Sequence, residues 1–276
     1  MGDFLRPTRL GEALRALTRP CTVLAGGTDF YPARVGRVID EDVLDITAIE
    51  DLRGISETAE GWRLGATTTW SELLDAPLPP LFDGLKLAAR EVGGRQIQNV
   101  GTLAGNLCNA SPAADGVPPL LALDAEVELA GPMGERRLPV AAFITGNRRI
   151  ALGPGELVVA IHVREPEREA LSGFLKLGAR RYLVISIAMA AATLEVDGRR
   201  IVDARVAVGA CSAVAQRLPL LEAALAGAPL DQRLGNLVEA AQLAPLSPID
   251  DVRASAAYRL DATVTVLRRL LAGFAP

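Results

Sequence analysis

The chain has 276 residues, 50% of them hydrophobic and 22% charged, enough for a sizeable core and longer than one typical domain. Its 29 basic and 33 acidic residues leave a net charge of −4 with no run of like charge, so nucleic acid and a membrane surface have no electrostatic support as partners. No stretch approaches the roughly 18 uninterrupted apolar residues of a membrane span, and the opening MGDFLRPTRL lacks a signal peptide's apolar core; the expectation is a cytoplasmic protein.

Taken in chain order, the pattern begins with an amphipathic helix over Thr8–Arg19, where Leu10, Ala13, Leu14 and Leu17 recur at helical spacing behind Pro7 and Thr8. Short strands are expected at Thr22–Ala25, Val43–Ile46 and Trp62–Ala66, separated by Gly26-Gly27 and the turn-rich Ser56–Gly61. Thr69 and Glu72 read as a capping box, and Leu81, Leu85, Ala88, Ala89 and Val92 as the apolar face of a longer helix stopped by Gly93-Gly94. From Gly101 to Ala114 the residues are small and polar, with too little apolar mass for a core element. An apolar run to Leu123 and a strand at Glu126–Leu129 follow, then a turn-rich Ala130–Arg137, and the polar Arg164–Glu169 reads as a linker between units. Beyond it, strands are expected at Phe174–Leu177, Ile185–Val196 and Ile201–Gly209, the last two joined at Asp197-Gly198. Helices are expected at Leu218–Ala226, Leu230–Leu243 and Val252–Leu271.

The chemistry-bearing residues are few. Cys21, Cys108 and Cys211 form no CxxC pair, which argues against a disulfide framework, a zinc site or an iron–sulfur cluster held by this chain alone. The single histidine, His162, falls in the strand-like run Leu157–Val163 and reads as a strand residue, which leaves little room for histidine-based catalysis. The first informative segment is Ala25-Gly26-Gly27-Thr28-Asp29, where a strand runs into paired glycines, a hydroxyl and a carboxylate. Glycines let several backbone N–H groups converge on an anion such as a pyrophosphate, although a plain structural turn explains the same pair. It is neither the phosphate-binding Gly-Lys-Ser/Thr loop nor GxGxxG. The second is Gln96–Leu107, containing Asn99, Thr102, Ala104, Gly105 and Asn106, continued by Ser111-Pro112-Ala113-Ala114-Asp115. Such a run reads either as an exposed loop or as backbone laid against a ligand, and its length favours the ligand.

AGGTD at 25–29, QNVGTLAGN at 98–106 and SPAAD at 111–115 occur in this order in one family. With the opening FLRPT, the strand Gly65-Ala66-Thr67, the segment Phe174-Leu175-Lys176-Leu177 and the ending Asp251–Arg259, they span nearly the whole chain. The chain resembles the FAD-binding (medium) subunit of the xanthine dehydrogenase and carbon monoxide dehydrogenase family of molybdenum hydroxylases. The resemblance implies an α+β fold. A two-part FAD-binding domain of the vanillyl-alcohol-oxidase (PCMH) type, residues 1–54 and 55–166, would precede a smaller α/β domain, 167–276, with a three-stranded antiparallel sheet and C-terminal helices. It also implies that Ala25–Asp29 and Thr102–Asn106 hold the FAD pyrophosphate from opposite sides, with Asn99, Asp115 and Lys176 as further cofactor contacts. The chain departs from the family at Ala104, where relatives often carry glycine, and at Tyr182-Leu183-Val184-Ile185-Ser186, where they often carry an aspartate or tyrosine near the flavin.

The function implied is an electron-transfer subunit of an oxidoreductase complex. Electrons would arrive from a small subunit with two 2Fe-2S clusters and a large subunit with the molybdenum cofactor. They would leave through FAD to NAD, a quinone or another acceptor, in a heterotrimer or a dimer of heterotrimers. The chain's own lack of clustered cysteines or a histidine–carboxylate set agrees with that division of labour. The alternative is a self-sufficient FAD-dependent reductase or oxidase of the same fold, with Ser186 or Tyr182 as the proton donor; a flavin-free scaffold is a third reading.

Overall fold

A computed structural model describes residues 2–275. The first unit is a three-stranded parallel sheet with Val43–Asp45 between Phe4–Leu5 and Thr22–Leu24. Parallel neighbours need a crossover, and the helix Leu10–Ala16, within the expected 8–19, supplies one. Ala13, Leu44, Ile46, Ile49 and Leu52 form its core.

The second unit is a five-stranded antiparallel sheet in the order Ile55–Thr58, Gly61–Gly65, Leu157–Arg164, Glu126–Gly131, Gly134–Pro139. Its central strand is buried from Leu157 to Val163, because both faces are covered. Leu157 and Val159 pack into the first unit's core. Val158, Ile161 and Val163 pack under the helices of the second, and a register shift between Val158 and Ala160 carries the alternation across. His162 is a buried strand residue bonded to Glu128.

The third unit is the antiparallel sheet Glu169–Leu177, Ala188–Asp197, Arg200–Gly209, with Gln216–Arg217 added as a two-residue fourth strand. Ala188, Ala190, Ala192, Leu194 and Val196 face the helices Pro219–Leu225 and Ala256–Ala272. Met189 and Ala191 point the other way, to Ala88 and Ala122 on helices of the second unit. An added Cβ on Gly84 would lie 2.9 Å from the Gly173 carbonyl oxygen, so helix Asp83–Glu91 rests directly on the strand Glu169–Leu177.

Three expectations are corrected. Residues 101–114 are not without core-forming structure: Leu103–Asn109 is a helix with Leu103, Ala104 and Leu107 buried, nucleated by the Thr102 cap. The turn-rich 130–137 is mostly strand, since Gly134–Pro139 pairs with Glu126–Gly131 as an edge whose Glu135, Arg136 and Arg137 are solvated, the charged character edges commonly have. The helix expected at 230–243 is two 3-10 turns, Gln232–Leu237 and Ala240–Leu243. Gly235 lies between Leu234 and Asn236 in the first turn, so close to helix Ala256–Ala272 that a Cβ would come 2.6 Å from the Arg268 carbonyl oxygen.

Candidate functional site

A cleft of about 570 Å3 runs along the seam between the first and second units. One wall is the loop that follows strand Thr22–Leu24, from Ala25 to Asp29. Gly27 has φ +71°, a left-handed conformation that favours glycine. Gly26 is required for a different reason: a Cβ there would sit 2.7 Å from the Val100 carbonyl carbon and 2.8 Å from Gly101 Cα. The two sequence segments therefore meet backbone to backbone. Among the described residues, the N–H groups of Gly26, Gly27 and Thr28 find no acceptor within the protein, which leaves three donors together on one wall.

The opposite wall is the helix Leu103–Asn109, which contributes Ala104, Gly105, Asn106 and Cys108, with its cap Thr102. The helix is fixed at its start: the Thr68 carbonyl accepts from Leu103 N–H at 3.1 Å, and Thr102 Oγ1 accepts from Gly105 N–H at 3.0 Å. Thr69 and Glu72 form the expected capping box behind it. Ala104 is an ordinary helical residue and is absent from the positive-φ positions, so alanine in place of the family's glycine carries no backbone strain. Asn106 Oδ1 is buried and accepts no hydrogen bond. The remaining surface is mostly apolar, with Ile46, Val92, Ile97, Ile150, Leu152 and Trp70 among its residues, joined by Thr22, Asn109 and Arg34, whose guanidinium is paired with Glu41. At the rim, Arg148 donates to Asn109 and stands 3.9 Å from Asp29 across the seam. Cys108 stands in this apolar wall, where burial pushes its thiol up to about 12.

Three expected site residues lie outside the cleft's lining. Asn99 is exposed and accepts from Ser71 Oγ at 2.7 Å. Asp115 and Lys176 are brought together as a buried ion pair at 2.6 Å, with Ser186 donating to the other Asp115 oxygen at 2.6 Å. Burial pushes the Asp115 carboxyl above its ordinary range, and Lys176 and Ser186 act against that shift. Gly116, the residue after Asp115, packs behind the cleft wall: a Cβ on it would lie 2.6 Å from Trp70 and 2.9 Å from Asn106 Oδ1.

Sequence reasoning found the two polar walls and missed the apolar one. Val92, Ile150 and Leu152 carry no signal distinguishing them from core residues. Arg148 sits in a turn at φ +57°, which no residue pattern marks. Among the described residues, no group of three or more His, Cys, Asp or Glu is arranged to hold a metal ion, and no helix is long and apolar enough to cross a membrane.

The chain matches known proteins along nearly its whole length. Residues 1–166 match the family described as the FAD binding domain in molybdopterin dehydrogenase, and residues 174–273 match the CO dehydrogenase flavoprotein C-terminal domain. The chain is similar to the carbon monoxide dehydrogenase medium chain of Afipia carboxidovorans, at 31% identity over 97% of this chain and 94% of that one. It is similar to the xanthine dehydrogenase FAD-binding subunit of Escherichia coli O157:H7, at 29% identity over 98% and 94%. Among solved structures, reconstituted CO dehydrogenase from Oligotropha carboxidovorans superposes with a TM-score of 0.89 at 27% identity, covering 100% of this chain and 99% of that chain.

Proposed function

The chain belongs to the FAD-binding subunits of the molybdopterin dehydrogenases, and on that premise we propose that it is the electron-transfer subunit of a molybdenum hydroxylase complex. It takes electrons from iron–sulfur clusters on a partner and passes them to NAD, a quinone or another acceptor. The observation that carries the assignment of the cleft is its two-sided construction. Gly26, Gly27 and Thr28, whose amides have no acceptor within the protein, line the cleft from one unit, and Asn106, whose carbonyl oxygen is buried without a partner, lines it from the other.

These residues fit FAD by their donor and acceptor types. Aligned amides suit a diphosphate without help from a lysine or arginine, the unpaired Asn106 Oδ1 suits an N–H or O–H donor, and the apolar wall suits flat rings. In this reading Ala25–Asp29 and Thr102–Asn106 hold the cofactor, and the Asp115–Lys176 pair meets it at the junction with the third unit. Residues 1–54 and 55–166 act as the two halves of the FAD-binding domain, and 167–276 as the C-terminal domain. When bound, FAD supplies the redox chemistry, while the chain supplies binding, orientation and exclusion of water.

The partners are an iron–sulfur small subunit and a molybdenum-cofactor large subunit, assembled as a heterotrimer or a dimer of heterotrimers in the cytoplasm. The self-sufficient reading gains no support: Ser186 already donates to Asp115 and Tyr182 is 61% exposed, so neither stands ready as an acid beside the cleft. The test is to mix the chain with its two partner subunits under anaerobic conditions and follow the flavin spectrum. Substrate bleaches the flavin only in the assembled complex. Full-rate bleaching of the chain alone, or failure to associate with either partner, refutes the proposal.

A further inference from the structure

The ending Asp251–Arg259 contributes nothing to the cleft, yet it folds into a buried junction. Arg259, 2% exposed, sits in the first turn of helix Ala256–Ala272. Its Nη2 donates to Asp251 Oδ1 at 2.8 Å, and its Nη1 to the carbonyl oxygens of Ile187 at 2.5 Å and Ala210 at 3.1 Å. Ile187 is where the segment following strand Glu169–Leu177 returns to the sheet, its N–H donating to the Leu177 carbonyl at 2.8 Å. The side chain just before it is Ser186, 1% exposed, whose hydroxyl claims Asp115 Oδ1 while Lys176 claims Oδ2.

Five separated stretches of sequence are thus linked by one series of bonds: Asp251 and Ala210 to Arg259, Arg259 to Ile187 beside Ser186, and Ser186 and Lys176 to the Asp115 carboxylate. Burying a guanidinium and an ammonium is unfavourable, and Arg259 Nε is left without a partner; what the bonds that are made fix is the orientation of the Asp115 carboxylate. Between Leu177 and Ser186 the chain is exposed at Ala179, Arg180, Arg181, Tyr182, Leu183 and Ile185. The return end therefore depends on the Ile187 and Ser186 bonds to stay in register. Lys176 has three donors, of which Asp115 takes one.

We infer that Ser186 is a positioning residue for the Asp115–Lys176 pair and that Arg259 holds Ser186 in place through the Ile187 carbonyl, which gives the C-terminal Asp251–Arg259 segment a role in setting the flavin's surroundings. The inference rests on the proposed contact of Asp115 and Lys176 with FAD. Its physical basis is that a carboxylate with both oxygens bonded keeps one orientation, whereas one held by Lys176 alone turns about that bond, and groups supporting a binding residue set how precisely it is placed.

The test uses the full chain titrated with FAD, comparing Ser186→Ala, Asp115→Asn, the double variant, Arg259→Met and Arg259→Lys. For each, FAD affinity, the visible absorption bands of bound flavin and the melting temperature of the flavin-free chain are measured. Ser186→Ala is expected to weaken FAD about tenfold, the scale of one lost bond to a charged group, and to move the flavin bands in the same sense as Asp115→Asn. The double variant is expected to be no weaker than Asp115→Asn alone, because both act on one carboxylate. Arg259→Met is expected to reproduce the band shift of Ser186→Ala, with Arg259→Lys recovering part of it. If Asp115→Asn moves the flavin signals and Ser186→Ala does not, or if the two effects add, the positioning role is wrong and the cofactor contact stands. If Asp115→Asn leaves affinity and bands unchanged, the contact and the positioning role fall together. A loss of apo melting temperature in Ser186→Ala with unmoved bands identifies a merely structural bond and also overturns the inference.

Discussion

Asn106→Leu is expected to move stability and cofactor affinity in opposite directions. In the protein, Asn106 Oδ1 is buried against Gly116 without a partner, and an unsatisfied buried carbonyl of this kind costs about 1–3 kcal/mol. Leucine has the same number and branching of side-chain heavy atoms as asparagine and is a better helix former within Leu103–Asn109. Replacing the amide removes the penalty, so the apo chain is expected to be unchanged or more stable by about 1 kcal/mol. With FAD bound, the wild-type oxygen gains a donor and the variant does not. The loss is one hydrogen bond and the relief that came with it, about 1–2 kcal/mol, or roughly 5- to 30-fold in affinity. Calorimetric melting of the flavin-free chain and quenching of flavin fluorescence on titration read the two quantities separately. If stability and affinity fall together, Asn106 is a structural residue; if affinity is unchanged, its oxygen does not face the cofactor.

Two further outcomes follow from the same cleft. Gly26→Ala forces the Ala25–Asp29 loop and the Val100–Gly101 backbone apart by at least about 1 Å, since an ordinary carbon contact is about 3.5–4.0 Å, the new carbon would lie 2.7 Å from the Val100 carbonyl carbon, and the Val100 carbonyl oxygen is nearer still. Apo stability is expected to fall by about 1–3 kcal/mol and FAD affinity with it, and retained affinity in a destabilised chain would place the cofactor elsewhere. Flavin is expected to leave the polypeptide completely on acid precipitation, because the one thiol in the wall, Cys108, is pushed up to about 12 and stays protonated at neutral pH; flavin retained in the pellet would contradict this.

What was legible in the sequence was whatever a backbone needs from a particular residue type. Thr69 with Glu72 announced a helix start because reciprocal capping uses those two side chains at that spacing. Gly26-Gly27 announced a special turn, and the structure supplies both reasons, a positive φ at Gly27 and a backbone contact at Gly26. The helix Leu103–Asn109 was hidden because its apolar content is only Leu103, Ala104 and Leu107 among glycine and asparagine, a composition that local propensity assigns to loops. The opposite error occurred at 230–243, where leucines at helical spacing satisfy a helical pattern but the close approach of Gly235 to Arg268 breaks it. No local pattern pairs Asp115 with Lys176, 61 residues away, or Asp115 with Ser186, 71 residues away. Those partnerships are products of the third sheet docking on the second unit's helices.

The cleft's position explains why its signals come as two half-motifs rather than one. Strands Leu157–Arg164 and Glu126–Gly131 are shared by the first unit's core and the second unit's core, with Val159 and Ala130 on one side and Ile161, Val127 and Leu129 on the other. The cleft opens at the start of strand Leu157–Arg164, where Leu157 and Val158 both reach its lining although they belong to different cores. A ligand seated there extends both cores at once and bridges them, so its binding energy also counts toward holding the two units together. Neither unit encloses such a ligand alone, and each carries the residue types its own backbone requires: glycines on the loop that must approach closely, a threonine cap and a free asparagine on the helix opposite. At the rim Arg148 stands 3.9 Å from Asp29, and the unpaired amides of Gly26, Gly27 and Thr28 are donors of the kind that suits a diphosphate without a basic cluster. A chain with net charge −4 can thus be built around a doubly negative cofactor without a basic patch in its sequence.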